Sequence, residues 1–266
     1  MSGDELFALA VSCFLSIFTW YAWYAPLATV ERFGAPARGH ILLIVAPVVS
    51  LAILFTVLKT LAASDVRDSA AYIGLYMLMG AAWTGGAMWL LPFLGISPGG
   101  DVAERHNEAA AIAVTGALVG SMLCFAGGNI GEGPGWWVVV ASAGLATAVL
   151  ALLINALDAL TSVSDTITIE RDLSAGTRFA ALLAAAGLIL GRGVAGDWVS
   201  FSATVQDLAV KAWPVVPLFA VAAAMERSAR PTPLRPRPSV TAFGVLPGFL
   251  YVAAAILYVG SLGRPA

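Results

Sequence analysis

The stretch Asn107–Gly133, NEAAAIAVTGALVGSMLCFAGGNIGEG, organises the rest of this chain. Its central part, residues 109–130, carries no charge and is long enough for a helix that crosses a membrane. One face of this helix carries small residues: Ala109, Ala113, Gly116 and Gly120. Such a face lets two helix backbones approach closely and gain dispersion contacts. The sequence leaves two partners open for it, namely another helix of the same chain or the same face of a second copy.

The composition argues against a water-soluble globule. Of the 266 residues, 59% are hydrophobic and 11% are charged, with a mean hydropathy of +0.87, whereas soluble domains carry about 25% charged residues. Residues 71–96 and 133–157 are uncharged runs that each exceed the roughly 20 apolar residues needed to cross a bilayer. Because lipid offers no hydrogen-bond partners, such runs must be helical. The net charge of −2 is uninformative about nucleic acid, but the sequence has no basic patch of the kind that binds it, so we expect no nucleic-acid partner.

We therefore predict an all-α, polytopic integral membrane protein with about eight membrane-spanning helices. The predicted spans are 6–28, 40–62, 71–95, 108–128, 135–160, 174–193, 203–225 and 240–262. The acidic N-terminus does not resemble a signal peptide, so we expect the first span to stay as a membrane anchor. The spans divide into a two-helix segment at 1–68, a four-helix unit at 69–198, and a two-helix segment at 199–266 with an Arg- and Pro-rich linker at 228–239.

The distribution of Lys and Arg between alternate loops predicts the orientation, because cytoplasmic loops carry an excess of these residues. With the N-terminus outside, nine basic residues fall on the cytoplasmic side: Arg32, Arg38, Arg105, Arg171, Arg178, Arg227, Arg230, Arg235 and Arg237. The outer side then holds four: Lys59, Arg67, Arg192 and Arg264. We expect both termini to lie outside.

A motif opens at Asn107 in the pattern Asn-x-Ala-Ala and comprises Asn107, Ala109, Ala110, Gly116 and Gly120. A degraded copy follows, which predicts a weak internal repeat over about 104–161 and 170–226, with Glu104 aligned on Glu170 at a spacing of 66 residues. By these motifs, residues 70–198 resemble an uncharacterised bacterial membrane family called domain of unknown function 350. The resemblance implies a protein of the bacterial cytoplasmic membrane and implies no reaction.

Four polar residues are candidates for a pathway through the membrane: Asp207, Lys211, Asn155 and Asp158. Asp207 and Lys211 share a helix face, and an ionisable residue within a span is a functional hypothesis by default. Alternatively, the span begins near Leu208 and Lys211 reaches back to the interface. The Asp-x-x-x-Lys pattern also resembles the retinal-binding helix of microbial rhodopsins, although the third span has no carboxylate to serve as counter-ion. Asn155 and Asp158 either end a span at the cytoplasmic interface or form a cation or proton entry site.

Other polar residues have simpler interpretations. His40 and His106 begin two spans on the same predicted side, either as solvated helix ends or as axial ligands of a haem. Asn107 is the expected N-cap of the fourth span. Four arginines either mark the topology or contact anionic lipid headgroups: Arg227, Arg230, Arg235 and Arg237. We expect Cys13 and Cys124 to be unpaired apolar residues, and we expect neither a metal site nor a cofactor.

Two functions remain open at this point. The first is a non-enzymatic structural or interaction component of the lipid bilayer, whose small-residue faces pack against a second copy or another membrane protein. The second is a transporter or channel for a small ion or solute that uses the polar candidates. A retinal- or haem-binding membrane protein is the remote alternative. The sequence contains no phosphate-binding loop, zinc-ligand cluster or Ser-His-Asp arrangement, so we expect no enzymatic activity.

Overall fold

The computed structural model describes residues 1–31, 38–88, 91, 95–230 and 239–263. These residues contain no β-strand, although one isolated bridge joins Ala62 and Gly131. The helices are α1 (Gly3–Glu31), α2 (Arg38–Thr60), α3 (Ser64–Arg67), α4 (Ala70–Met88), α5 (Glu108–Gly128), α6 (Trp136–Thr161), α7 (Val163–Thr168), α8 (Leu173–Val194), α9 (Phe201–Lys211), α10 (Val215–Ala229) and α11 (Leu246–Ser261). Two π-helical segments, Pro98–Glu104 and Thr241–Val245, precede α5 and α11. The all-α prediction is confirmed.

Most of the predicted spans correspond to long apolar helices. Within the described residues, six are long and apolar enough to cross a membrane: Gly3–Ala28, Gly39–Thr60, Glu108–Gly128, Trp136–Thr161, Leu173–Val194 and Thr241–Ser261. The pair α9 and α10 adds a seventh if the two helices form one span. The third predicted span, 71–95, corresponds to α4, and part of its end lies outside the described residues. The helices therefore fit a multi-pass membrane protein, while the count of eight is not confirmed.

The predicted seventh span, 203–225, is not one continuous helix. α9 ends at Lys211, α10 begins at Val215, and the two helices are bent by 49°. Pro214 and Pro217 lack the backbone N–H that would continue the helical hydrogen bonds. The prediction of a single helix was wrong here because the two prolines, three residues apart, interrupt the hydrogen bonds in adjacent turns.

Helices α5 and α8 form the centre of the bundle. In the apolar 18-residue stretch of each candidate span, 72% of the residues of α5 and 67% of those of α8 are buried, against 22% in the last span. Their contacts run in the same direction along both helices, from Ala109 against Gly176 to Gly127 against Gly191, so the two helices are parallel. Helices α1, α2 and α11 surround this core and expose large apolar side chains such as Phe14.

Glycine is required where α5 meets α8. A Cβ atom on Gly116 would lie 2.2 Å from the Cα atom of Ala180, and one on Gly120 would lie 2.5 Å from the carbonyl oxygen of Leu183. These neighbours are backbone atoms, so no side chain can rotate away to make room. The small-residue face of α5 is therefore occupied by α8 of the same chain, which is the first of the two alternatives that the sequence leaves open.

Matching backbone features recur 65 residues apart. Asn107 and Asp172 cap α5 and α8, and each follows a residue with positive φ, His106 or Arg171, both at 54°. The sequence alignment instead paired residues 66 apart, because it matched identical side chains and not equivalent backbone positions. The internal repeat itself stays a prediction.

Both ends of the chain lie at one end of the bundle, which we call the terminal end. The hydroxyl of Tyr72 donates to Glu5 at 3.2 Å, and the guanidinium of Arg192 donates to the carbonyl of Gly263 at 3.3 Å. The opposite end, which we call the loop end, holds the N-termini of α5 and α8.

We expect Gly116→Ala to lower the free energy of unfolding by about 1–3 kcal/mol, because the added methyl group overpacks against the backbone of α8. The matched control is Gly74→Ala in α4, where a Cβ atom would meet nothing within 4 Å and alanine favours the helix by about 0.5–1 kcal/mol. Thermal unfolding of the purified protein in detergent measures both variants. Equal stability of the two would contradict the close packing of α5 on α8.

Candidate functional site

Two glycine-rich turns meet at the terminal end and form the base of the candidate site. One joins α5 to α6 and the other joins α8 to α9. The N–H of Gly196 donates to Ile130 at 2.9 Å, and the N–H of Trp198 donates to Glu132 at 2.8 Å. Gly131 and Gly196 have φ values of 105° and 138°, and a Cβ atom on Gly131 would lie 2.3 Å from the carbonyl carbon of Gly196. Glycine is therefore needed for both the left-handed backbone and the close approach of the turns.

A cavity of about 140 Å³, which we call the polar pocket, lies beside these turns. Three carboxylates and three aromatic rings line it: Glu5, Asp65, Glu132, Tyr72, Tyr76 and Trp198. None of the described residues that line it is Lys, Arg or His. Its volume suits a small solute, because pockets for drug-sized ligands measure about 300–1,000 Å³.

Hydrogen bonds hold the carboxylate of Glu5 in place. The hydroxyl of Tyr72 lies 3.2 and 3.4 Å from its two oxygens, and the backbone N–H of Ser2 donates to it at 2.7 Å. The α-amino group of Met1 lies 3.9 Å away and offsets part of the charge of Glu5. The side chains of Asp65 and Glu132 are exposed at the rim. The rim is therefore negatively charged where a solute would enter.

Asn129 supplies a hydrogen-bond acceptor without a partner at the pocket. Its side chain is 6% exposed, and its amide nitrogen donates to the carbonyl of Phe125 at 2.8 Å. The amide oxygen, Oδ1, has no hydrogen-bond partner. Oδ1 is itself almost inaccessible, so this unpaired acceptor costs about 1–3 kcal/mol of stability.

The loop end contains a buried ion pair that the sequence analysis missed. Arg178 is 1% exposed; its Nε donates to Glu226 at 2.7 Å, its Nη2 donates to the other oxygen of Glu226, and its Nη1 donates to the carbonyl of Phe243. This fork joins α8, α10 and the segment before α11. The assignment of Arg178 to a cytoplasmic loop was wrong, because the residue lies in the second turn of α8. The signal that could have found it is an ionisable residue within an apolar helix.

The predicted motif residues lie at the loop end and along α5. Asn107 caps α5 by accepting a hydrogen bond from Ala110, and its amide nitrogen donates to the carbonyls of Ile167 and Thr168 at 2.8 and 3.3 Å. The predicted N-cap is confirmed, and the same side chain also joins α5 to α7. The other motif residues are buried within the bundle: Ala109, Ala110, Gly116 and Gly120.

The four predicted pathway residues form two separate pairs. Asp207 and Lys211 form an ion pair of 2.8 Å on α9, with side chains 53% and 31% exposed. Asn155 donates to a carbonyl one turn earlier in α6, and Asp158 accepts from the N–H of Ser164 at the start of α7. The first pair lies at the break between α9 and α10, and the second lies near the loop end. A pathway through both pairs stays a prediction.

The predicted headgroup-binding arginines are engaged in contacts within the protein. Arg227 donates to the carbonyl of Leu160 at 3.0 and 3.1 Å, and Arg230 contacts Glu170 at 3.3 Å. Two further members of this group lie outside the described residues: Arg235 and Arg237. Contact with lipid headgroups stays a prediction.

The two histidines come close together at the loop end, with ring centroids 5.4 Å apart. His40 is 1% exposed, and its Nε2 lies 3.2 Å from the carbonyl of Ala103, so the interpretation of His40 as a solvated helix end was wrong. Within the part of the chain that the structure describes, no group of three or more His, Cys, Asp or Glu is arranged to hold a metal ion. Cys13 and Cys124 are free.

Comparisons with protein-family models, with curated proteins and with solved structures found no match to this chain. The resemblance to domain of unknown function 350 therefore stays a prediction.

We expect Asn107→Asp to destabilise the protein by about 1–3 kcal/mol, because a carboxylate keeps the N-cap but cannot donate to the carbonyls of Ile167 and Thr168. Asp172→Asn is the matched control, since it keeps the cap of α8 and adds a donor where Oδ2 of Asp172 has no partner. Thermal unfolding should show a loss for the first variant and none for the second. Equal losses would contradict this role of Asn107.

We expect Arg178→Met to cost about 3–5 kcal/mol of stability, because it leaves Glu226 buried without its partner. Adding Glu226→Gln to this variant should restore part of the loss by removing the uncompensated charge. The matched control is Lys211→Met, which breaks an exposed pair and should cost about 0–1 kcal/mol. Unfolding in detergent measures all three, and a small loss for Arg178→Met would argue against a stabilising role of the Arg178–Glu226 ion pair.

Proposed function

We propose that this protein is a non-enzymatic, multi-pass protein of a bacterial cytoplasmic membrane that binds a small organic cation in the polar pocket. One observation carries the proposal: the pocket combines three carboxylates with aromatic rings, and its described lining contains no basic side chain. Such a lining attracts positive charge and repels an anion.

The carboxylates and the rings act over different distances. The rim charges of Asp65 and Glu132 raise the local concentration of a cation before contact, because clefts lined by one sign of charge focus their field. The faces of Tyr76 and Trp198 then contribute cation–π attraction of about 0.5–2 kcal/mol at contact.

An organic cation fits this pocket better than a metal ion does. Calcium takes six to eight oxygen ligands at about 2.3–2.6 Å, and no group of three or more His, Cys, Asp or Glu within the described residues is arranged to hold a metal. Aromatic rings occupy part of the wall and offer no ligand to a hard cation. They do suit a quaternary or protonated amine, whose charge is spread over apolar groups.

The proposed topology has eight crossings, with both termini outside. Arg105, Arg171, Arg227 and Arg230 support it, because all four belong to segments at the loop end, which is then the cytoplasmic side. In this orientation the polar pocket faces the outside of the cell and takes its ligand from there.

The packing inside the chain bears on the two functions that the sequence left open. The small-residue faces of α5 and α8 pack on each other, so they need no second subunit to account for them; self-association stays a prediction. Transport of the bound cation is the second candidate function. The 49° break between α9 and α10 favours it, because transporters form their substrate sites at interrupted helices.

Choline is the probe that tests the proposed function. We expect the purified protein to bind choline with a Kd of about 1 mM or below, and to bind dimethylbutanol, its neutral carbon isostere, much more weakly. Glu132→Gln should weaken choline binding about tenfold, because it removes one charge at the rim. Raised salt should weaken binding as well. Isothermal titration calorimetry in a non-ionic detergent measures these affinities.

The control variant is Glu104→Gln, which neutralises an exposed carboxylate at the loop end and should leave choline binding unchanged. Equal binding of choline and its neutral isostere would overturn the proposal, and so would a loss of the same size in both glutamine variants.

A further inference from the structure

A second cavity, whose nearest lining residues are about one helical turn from those of the polar pocket, has a different character. It measures about 440 Å³ and has an almost entirely apolar lining that includes Phe7, Leu15, Met79, Trp83 and Phe125. Phe7 and Leu15 are 66% and 42% exposed, so the cavity opens onto the surface that a bilayer covers. We call it the apolar cavity.

Residues of the two cavities lie about one helical turn apart on three helices, α1, α4 and α5. Adjacent turns supply one residue to the pocket and one to the cavity: Glu5 and Ala8 in α1, Tyr76 and Met79 in α4, and Asn129 and Phe125 in α5. The polar pocket lies towards the terminal end, and the apolar cavity lies deeper in the bundle. A ligand that occupied both would meet a polar, acidic lining at one end and an apolar lining at the other.

Two of the polar groups beside the apolar cavity are paired with each other. The indole N–H of Trp83 donates to the hydroxyl of Thr147 at 3.3 Å, so neither group needs a partner inside the cavity. Apolar walls of this kind do not hold ordered water. They do suit a hydrocarbon chain, which gains dispersion contacts with every side chain that it touches.

We propose that the polar pocket and the apolar cavity together bind a single-chain cationic amphiphile, with its ammonium head in the pocket and its alkyl chain in the cavity. This inference rests on the proposed function and names its ligand class. Charge complementarity selects the head group, because the phosphate of an ordinary phospholipid would face Glu5, Asp65 and Glu132. The bilayer delivers the ligand through the open side of the cavity.

Alkyltrimethylammonium compounds of increasing chain length test the proposal on the full chain in lipid nanodiscs. The affinity of the wild-type protein should rise at least about tenfold from tetramethylammonium to the dodecyl compound, because the chain is buried in the cavity. Gly86→Leu fills the cavity, since Gly86 lines it and a Cβ atom there meets nothing within 4 Å. This variant should bind tetramethylammonium normally and lose the gain from chain length.

The matched control is Gly74→Leu, which adds the same side chain on the same helix at a position that is equally open and does not line the cavity. It should keep the full gain. If Gly86→Leu fails to bind tetramethylammonium, Ala82→Phe fills the cavity from the next turn and replaces it in the comparison.

The outcomes separate the two proposals. An equal gain from chain length in the wild type and in the filled variants overturns the amphiphile site, and so does the absence of a gain in the wild type. Binding of tetramethylammonium with no gain leaves the proposed function standing and removes only this inference. Absence of binding for every ammonium compound removes both.

Discussion

Contact between the backbones of α5 and α8 is the constraint on which the rest of the structure depends. In lipid, helices gain nothing by hiding apolar side chains from water, so they associate through packing and hydrogen bonds. Gly116, Gly120 and Gly187 bring the two backbones together with no side chain between them. The remaining helices pack around this pair, and they expose apolar outer faces that fit contact with a bilayer.

The parallel packing of α5 and α8 also determines where the polar groups come together. The two helices have 21 and 22 residues, and they are in contact from Ala109 and Gly176 near their starts to Gly127 and Gly191 near their ends. At the loop end, this places the amide of Asn107 beside the carbonyls of Ile167 and Thr168. At the terminal end, it places the turn after α5 against the turn after α8, and the polar pocket lies beside that contact. The candidate site is therefore a consequence of the central helix pair.

Buried polar groups in this bundle divide into two kinds. Arg178, Glu226 and Asn107 have partners on other elements, and they hold α8, α10 and α7 in place where the bilayer provides no alternative hydrogen bonds. Oδ1 of Asn129 has no partner, although the rest of its side chain is held by the carbonyl of Phe125. We interpret the first kind as structural, whereas a group of the second kind, which also includes Oδ2 of Asp172 at the cap of α8, lowers stability unless a partner completes it.

The sequence alone determined the parts of this structure that depend on neighbours along the chain. The span predicted at 108–128 coincides with α5, and the N-cap at Asn107 was predicted as well, because helical hydrogen bonds and caps join residues at most four apart.

Only the tertiary structure decided which surface covers the face of Gly116 and Gly120, since a face of small residues accepts any similar face. It also decided the pairing of Arg178 with Glu226, 48 residues further along the chain. The residues that line the polar pocket are spread along the chain from Glu5 to Thr204. In the sequence its charged residues are therefore indistinguishable from ordinary residues at helix ends, and only the packing brings them together. Contacts between distant residues carry no periodicity in the sequence, and for that reason the bundle could be predicted and its candidate site could not.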